Sequence, residues 1–493
     1  MTTATITDLE LLRTRISGAI GQQMPEHIGR LGWDAGRLAA HQRDRLRALL
    51  ARAIADSPFH ARRLRGIDPN RFELADLTRL PVMTKADMMK NFDAATTDRR
   101  LTRDLVERHL GRSVTDPSLL FGDYVVLVSG GSSGQRGLFV QAADEYAEFA
   151  ASVTRRALAA TVAAADGMPP EGLVIGMVGA GSPVHSSGLG CVTATRPPVR
   201  LVSAPASLPI AEIVRRLNAA QPPNLLAYAA KLAELAAEQR DGRLKLNLRS
   251  VSSFAEAISM PERIAVTEAF GVPVIDFFAS TEGLVGHSEP GEAVLTFAGD
   301  TCIAECVDDE GRPVPDGTTS SKVLVTNLHN LTQPIIRYEL TDRFTPAGTS
   351  EGGALRASVE GRSDDLFRYA EASVHPFVIG APLLHAPAVR EFQIRQTEQG
   401  ADIAAVIDGD FDPSAVEASV KRSLRQAGVA SPQVRFCRVG ALDRDPMTSK
   451  ARRFIPLGSL LRPEPAAPPP PAARPAAEHP AGSQVQPQPP TRS

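Results

Sequence analysis

Between Tyr124 and Phe278 short apolar runs alternate with segments of helical periodicity, a pattern that few folds accommodate. Tyr124-Val125-Val126-Leu127-Val128, residues 173–178 and Val274-Ile275-Asp276-Phe277-Phe278 are apolar runs of strand length. Residues 210–217 and 232–237, lying between them, carry apolar side chains at helical spacing. Strands apolar on both faces and separated by helices predict a largely parallel sheet covered on both sides, an α/β architecture.

The flanks read differently. Leu46, Leu49, Leu50 and Ile54 form a helical stripe with Arg45, Arg47 and Arg52 off it. Ser57-Pro58 ends that helix, because a residue before proline is pushed out of the α region. Thr84 is placed to cap a helix carrying Met88 and Met89. From 293 to 342 strands crowd together, with a turn at Asp308-Asp309-Glu310-Gly311 and a β run at Val323-Leu324-Val325-Thr326, which predicts a β-rich subdomain. A small α+β unit follows, with strands over 391–397 and 402–407 and a helix opened by Asp412-Pro413. Val416, Val420 and Leu424 line that helix, and Gly428 ends it. Beyond Arg462 the chain turns to proline, alanine and glutamine, which bury too little apolar surface to offset ordering entropy, so disorder is expected. The expected organisation is 1–363 as a large domain, helical to about 120, then 364–461 as a small domain and 462–493 as a tail.

A hydrophobic content of 43% and a net charge of −2 suit a globular protein and lack the basic excess of a nucleic-acid binder. Met1-Thr2-Thr3-Ala4-Thr5 has no signal-peptide character, and no apolar run approaches the ~18–20 residues that span a bilayer. Cys191, Cys302, Cys306 and Cys437 show no CxxC spacing. Cys302 and Cys306 share one face of a strand-like segment without partners at zinc-like spacing, so free thiols and a reduced, cytoplasmic protein are expected. Oligomeric state is left open, a homodimer included.

Several short motifs carry chemistry. Ser129-Gly130-Gly131-Ser132-Ser133-Gly134 follows an apolar run. It is either a phosphate cradle, its glycines letting backbone N–H groups approach an anion, or a flexible turn. It is not a Walker A loop, which ends in Gly-Lys-Ser/Thr. The glycine cluster at 176–190 begins like a dinucleotide fingerprint but lacks the third glycine and carries Pro183 where a helix should start. His185, Ser186 and Ser187 within it either face a substrate or form an ordinary polar loop. Ser280-Thr281-Glu282-Gly283 lies at the carboxyl end of a strand, where open α/β sheets hold their ligands. Glu282 is there either a Mg²⁺ ligand or a turn residue. Asp342 ends a strand-like segment, and its two oxygens suit a pair of ribose hydroxyls. Arg337 is a structural or a site residue, and Lys450 stands on a polar loop.

In this order the motifs resemble the adenylate-forming (AMP-binding) superfamily, and within it the phenylacetate–CoA ligase-like branch, over about residues 40–460. The most specific segments are Ala279-Ser280-Thr281-Glu282-Gly283, Pro334-Ile335-Ile336-Arg337-Tyr338 through Asp342, and Glu360-Gly361-Arg362-Ser363-Asp364-Asp365. Pro81-Val82-Met83-Thr84-Lys85, Ser57-Pro58-Phe59 and Phe254-Ala255-Glu256 also look like that branch. The resemblance implies an adenylate-forming fold with a large α/β domain and a small mobile lid. It implies ATP and Mg²⁺ as cofactors, a small-molecule carboxylic acid as substrate and CoA as acceptor. Ser129 to Gly134 would hold phosphate with Ser280, Thr281 would touch the α-phosphate, and Glu282 would hold Mg²⁺. Asp342 and Arg362 would bind the nucleotide sugar, Asp364 would be the hinge, and Lys450 would reach the reacting phosphate. His185, Ser186 and Glu256 would face the substrate. Arg136 and Gly137 stand where many such loops carry proline and lysine, and Ser449 where glycine usually precedes the lysine. The alternatives are a different acceptor (an amine, a carrier-protein thiol or an adenylylated coenzyme) or an inactive nucleotide-binding relative.

Overall fold

A computed structural model describes residues 7–129, 137–255, 258–362, 367–370, 372–374, 379–380, 382–383, 388–407, 409, 411–444 and 452–457. The expected disordered tail at 462–493 lies outside the described residues.

The chain opens with helices α1 (Asp8–Gly29), α2 (Ala35–Asp56), α3 (Pro58–Arg63), α4 (Lys85–Lys90), α5 (Phe92–Ala95) and α6 (Arg103–Ser113). Their bounds follow local chemistry. The Ser57 hydroxyl accepts from the His60 N–H, so one residue closes α2 and caps α3. Thr84 and Asp87 form a capping box at α4, which buries Met88 and Met89.

The apolar run at β1 (Tyr124–Val128) does not join the parallel sheet. It pairs antiparallel with β2 (Leu138–Ala142) in a separate ribbon. The reason is the short connection at 129–137, since parallel neighbours need a crossover of a dozen or more residues.

The long helix α7 (Ala143–Ala164) packs along α1 and leads into the main sheet. That sheet gathers β3 (Leu173–Val178), β4 (Thr195–Arg196), β5 (Val199–Ser203), β6 (Asn224–Tyr228), β7 (Ser250–Phe254) and β8 (Val274–Ala279). Intervening helices are α8 (Ser186–Thr193), α9 (Ile210–Ala220), α10 (Ala229–Arg240) and α11 (Met260–Phe270). Then come β9 (Val285–Ser288), β10 (Leu295–Phe297), β11 (Cys302–Val307), β12 (Lys322–Asn327), β13 (Tyr338–Leu340), β14 (Asp342–Thr349) and β15 (Leu355–Arg362). The ten-stranded order is β14-β15-β10-β9-β8-β7-β6-β3-β5-β4. The strands β5, β3, β6, β7 and β8 run parallel, and antiparallel strands flank them on both sides. The sheet is therefore mixed, with the expected parallel portion at its centre. β5 and β6 both pair with β3, from opposite sides, which makes a topological switch point where α/β sheets hold ligands.

The β-rich subdomain is the three-stranded sheet β11-β12-β13. Cys302 and Cys306 are buried there as free thiols. Asp342 opens β14 and does not end β13, because Thr341 breaks the chain between two differently paired strands.

A buried ionic cluster ties the first helices to the sheet. The Arg155 guanidinium on α7 donates two bonds of 2.6 Å to Asp300, and Arg30 reaches Glu148 at 3.1 Å. Burial alone would raise the Asp300 carboxyl, but the bonds from Arg155 hold it down at about 2.

After β16 (Phe367–Arg368) and β17 (Ser373–Val374), a second α/β unit is built from β18 (Val389–Thr397), β19 (Gly400–Ile407), α12 (Pro413–Gln426), β20 (Gln433–Arg438) and β21 (Phe454–Ile455). Its sheet order is β20-β19-β18-β21, with Val416, Val420 and Leu424 of α12 in its own core. Arg453 of this unit donates to Glu262 on α11 at 3.0 Å.

Candidate active site

The carboxyl end of β8 runs straight into a tight turn at Ser280 to Leu284. The Gly283 N–H donates to the Ser280 carbonyl at 3.0 Å, and the Ser280 N–H to the Leu284 carbonyl at 2.9 Å. Gly283 has φ +105°, and a β-carbon there would lie 2.2 Å from the Asn327 amide nitrogen. Only glycine lets the turn sit this close to its support. That amide nitrogen donates to the Glu282 carbonyl oxygen at 2.8 Å, and the Glu282 side chain is buried. Thr281, beside it, faces a cavity.

The support is the segment 327–333, Asn-Leu-His-Asn-Leu-Thr-Gln, which the motif reading passed over. The Asn327 carboxamide oxygen accepts from the N–H groups of His329 and Asn330, both at 2.9 Å. The Asn330 oxygen accepts from Gln333 N–H at 2.8 Å, so two amide turns follow each other. The Gln333 side chain then accepts from Val140 N–H at 2.8 Å and donates to Leu138 C=O at 3.1 Å. Asn330 donates to Val140 C=O at 3.1 Å. These amides serve β2 as a neighbouring strand would. Glu145 on α7 fixes the same segment by accepting from the N–H groups of Leu331 and Thr332. The signal in the sequence was the three-residue spacing of Asn327, Asn330 and Gln333 just before the Pro334 motif.

β2 matters because it leads out of the serine–glycine loop. At the loop's mouth Ser129 N–H donates to Gly137 C=O, and Gly137 N–H donates back to the Ser129 hydroxyl, both at 3.0 Å. Gly130, Gly131, Ser132, Ser133, Gly134 and Arg136 lie outside the described residues. The support segment thus links this loop's outgoing strand to the Thr281-Glu282 turn.

His185 is buried at the start of α8 and its Nδ1 donates to Val128 C=O at 3.0 Å, since a carbonyl can only accept. The close approach of α8 needs Gly188, where a β-carbon would meet the Ser182 carbonyl oxygen at 1.9 Å. His185, Ser186 and Thr281 share the wall of one cavity of about 250 Å³. Its floor is one face of the parallel strands, with Ile175, Met177, Leu226, Phe254 and Phe277, and its roof is α7, with Tyr146, Phe149 and Val153. Those α7 residues carry no motif, and the sequence reading did not single them out.

Asp342 and Arg362 are direct partners in the β14–β15 ladder, and the Arg362 side chain lies outside the described residues. Arg337 is structural. It is buried, with φ +47°, and its guanidinium donates to both Glu305 oxygens at 3.0 and 2.9 Å and to Leu80 C=O at 2.8 Å. Glu256, Asp364 and Lys450 lie outside the described residues, although Ala255, next to Glu256, lines the cavity. Among the described residues no three His, Cys, Asp or Glu side chains gather as a metal cage. Magnesium on a nucleotide asks only for one or two carboxylates besides phosphate oxygens, and Glu282 suits that demand. No described helix is long and apolar enough to cross a membrane.

A 2-hydroxyisobutyryl-CoA ligase, solved in its postadenylation state in complex with R3-HIB-AMP, superposes with a TM-score of 0.64 over 87% of this chain and 91% of that one. The chain has the fold of that ligase. Sequence identity to that structure is 19%. The same ligase with 2-HIB-AMP and CoA in its thioesterification state gives a TM-score of 0.53 at 19% identity, over 86% and 90% of the two chains. No family model matches the chain. The Protein CapK of Staphylococcus aureus is 23% identical over 168 residues, 33% of this chain and 36% of that protein. The match therefore spans about a third of that relative's length.

Proposed function

We propose that this protein uses ATP to activate a carboxylic acid as an acyl-AMP and passes the acyl group to CoA, as a member of the phenylacetate–CoA ligase-like branch. The observation that carries the reading is the Thr281-Glu282 turn, set at the carboxyl end of the parallel strands and opening on an apolar cavity that His185, bonded to the Val128 carbonyl, also lines. A carboxylate attacking the α-phosphorus brings two anions together, so the site must supply positive charge and fixed donors. Ser129 and the loop after it, with Ser280 and Thr281, would bind phosphate. Asp342 would accept from the ribose hydroxyls, with Arg362 opposite it in the ladder. Glu282 would hold Mg²⁺, which supplies charge neutralisation on the phosphates when bound. Lys450 would bring a further positive charge to the α-phosphate from the small domain. We place the boundary between the two domains at 363/364, with Asp364 as hinge, and assign the tail to 462–493.

The test is pyrophosphate release from ATP and Mg²⁺ across a panel of acids, with and without CoA, with products identified by mass. A thioester formed only with CoA supports the reading. An adenylate that accumulates whether or not CoA is present assigns the acceptor to another class, an amine or a carrier-protein thiol. No pyrophosphate release with any acid refutes it.

A further inference from the structure

The cavity has a shape that selects among acids, and its length can be read twice. On the sheet side it runs from Asn224 to Tyr228 along β6 and from Ser250 to Phe254 along β7. Four strand rises of about 3.3 Å give about 13 Å. On the roof it runs from Tyr146 to Thr154 along α7, and eight helical rises of about 1.5 Å give about 12 Å. It is therefore a slot as long as the strands, with Thr281 and Ala279 at one end and Asn224, Ser250 and Val199 at the other.

We propose that this slot takes a long monocarboxylic acid that is uncharged beyond its carboxylate, with about eight to ten carbons behind it, either a straight chain or a chain ending in a ring. The proposal rests on the adenylate-forming reading, which places the carboxylate at Thr281. A zig-zag chain of C–C bonds of about 1.5 Å advances about 1.25 Å per carbon, so about 13 Å holds about ten carbons. Volume gives the same answer. A cavity of about 150 Å³ holds benzene, or about 25 Å³ per carbon, so a cavity of 250 Å³ takes about ten. A benzoate-sized acid would leave half the slot unfilled.

The lining sets the polarity. Alternate residues along the strands place Ile175, Met177, Leu201, Leu226 and Phe277 on it. No Asp, Glu, Lys or Arg is among the described lining residues, so a second carboxylate or an ammonium would be buried without a counter-charge. The polar pair at the far end makes no demand on a ligand. The Ser250 hydroxyl donates to the Asn224 oxygen at 2.8 Å, and the Asn224 amide donates to Val174 C=O at 2.9 Å. A methyl or phenyl end can stop there without leaving either group unpaired.

The experiment measures kcat/KM for pyrophosphate release over straight-chain acids from two to sixteen carbons, with phenylalkanoates, dicarboxylates and amino acids alongside. Titration calorimetry of octanoate and decanoate is run without ATP. We expect a maximum near nine to eleven carbons in all, and a loss of about 10²-fold or more for a dicarboxylate of the same length. Ser252→Phe, halfway along the slot, should move the maximum to six carbons or fewer, and Leu226→Ala should move it up. A wild-type maximum at four carbons or fewer, or at benzoate, overturns the proposal, as does equal use of dicarboxylates. If no acid releases pyrophosphate yet decanoate binds in the calorimeter, the adenylation reading fails and the slot assignment holds. If neither binds nor turns over, the slot assignment fails too.

Discussion

Gln333 is fully buried and does for β2 what a third strand would do. Gln333→Leu keeps the bulk and removes both partners. The Val140 N–H and Leu138 C=O then lose their bonds in a buried place, each at about 1–3 kcal/mol, so the change should cost about 2–6 kcal/mol. Against a typical total of about 5–15 kcal/mol, such a loss shows clearly in a urea melt. The effect should also reach the chemistry. β2 carries the outgoing end of the serine–glycine loop, and a displacement of about 1 Å at a reacting group can cost about 10²-fold in rate. Gln333→Glu keeps the acceptor for Val140 but sets a buried carboxyl against the Leu138 carbonyl, so it too should destabilise, and more as pH rises and the carboxyl ionises. ATP–pyrophosphate exchange measured below each variant's melting point separates rate from stability. If Gln333→Leu unfolds within about 0.5 kcal/mol of wild type, the strand-like role of the side chain is wrong.

Gly283→Ala should lower exchange by about 10²-fold, because the new β-carbon must displace the Asn327 amide that holds the Glu282 carbonyl; unchanged exchange would show that the turn tolerates the shift. Lys450→Ala should lower adenylation by about 10²-fold or more, as loss of one transition-state contact does, and a wild-type rate with a good acid removes the role assigned to it. Burial, then the neighbouring Arg30 charge, lower His27 from the ordinary histidine value to about 4. Neither of its ring nitrogens has a hydrogen-bond partner among the described residues. Protonation therefore favours the unfolded chain, so the stability this neutral histidine preserves is whole above pH ~6.5 and is lost as pH falls towards 4. In urea melts across that window, His27→Met should flatten the slope by up to about 1.4 kcal/mol per pH unit, and an unaltered slope would place the titrating group elsewhere.

The parallel centre of the sheet was legible because strands buried on both faces read as continuous apolar runs, as Leu173–Val178 does. The same rule misplaced Tyr124–Val128, since an apolar run does not say whether helices or another ribbon cover it; the short loop after it was the deciding clue. Local chemistry located the end of α2 and the start of α4 almost to the residue, because Ser57 stands before Pro58 and Thr84 accepts from the Asp87 N–H. The turn at 280–284 was legible as a motif, but its support was not, because Asn327 and Gln333 act across 45 and 193 residues of chain. The cavity was half legible. Residues 185–187 and Phe277 stood near motifs, whereas Tyr146 and Phe149 acquire meaning only when α7 lies across the sheet.

On the proposed function a carboxylate oxygen of the substrate attacks the α-phosphorus of ATP, and an isotope follows that bond directly. The protein is given an acid labelled with ¹⁸O in its carboxyl group, with ATP, Mg²⁺ and CoA, and the nucleotide product is weighed by mass spectrometry. When CoA attacks the acyl carbon of the adenylate, the bridging oxygen leaves with the phosphate. AMP should carry one ¹⁸O and form in step with thioester and pyrophosphate. Unlabelled AMP, or ADP with inorganic phosphate, would contradict the proposed function.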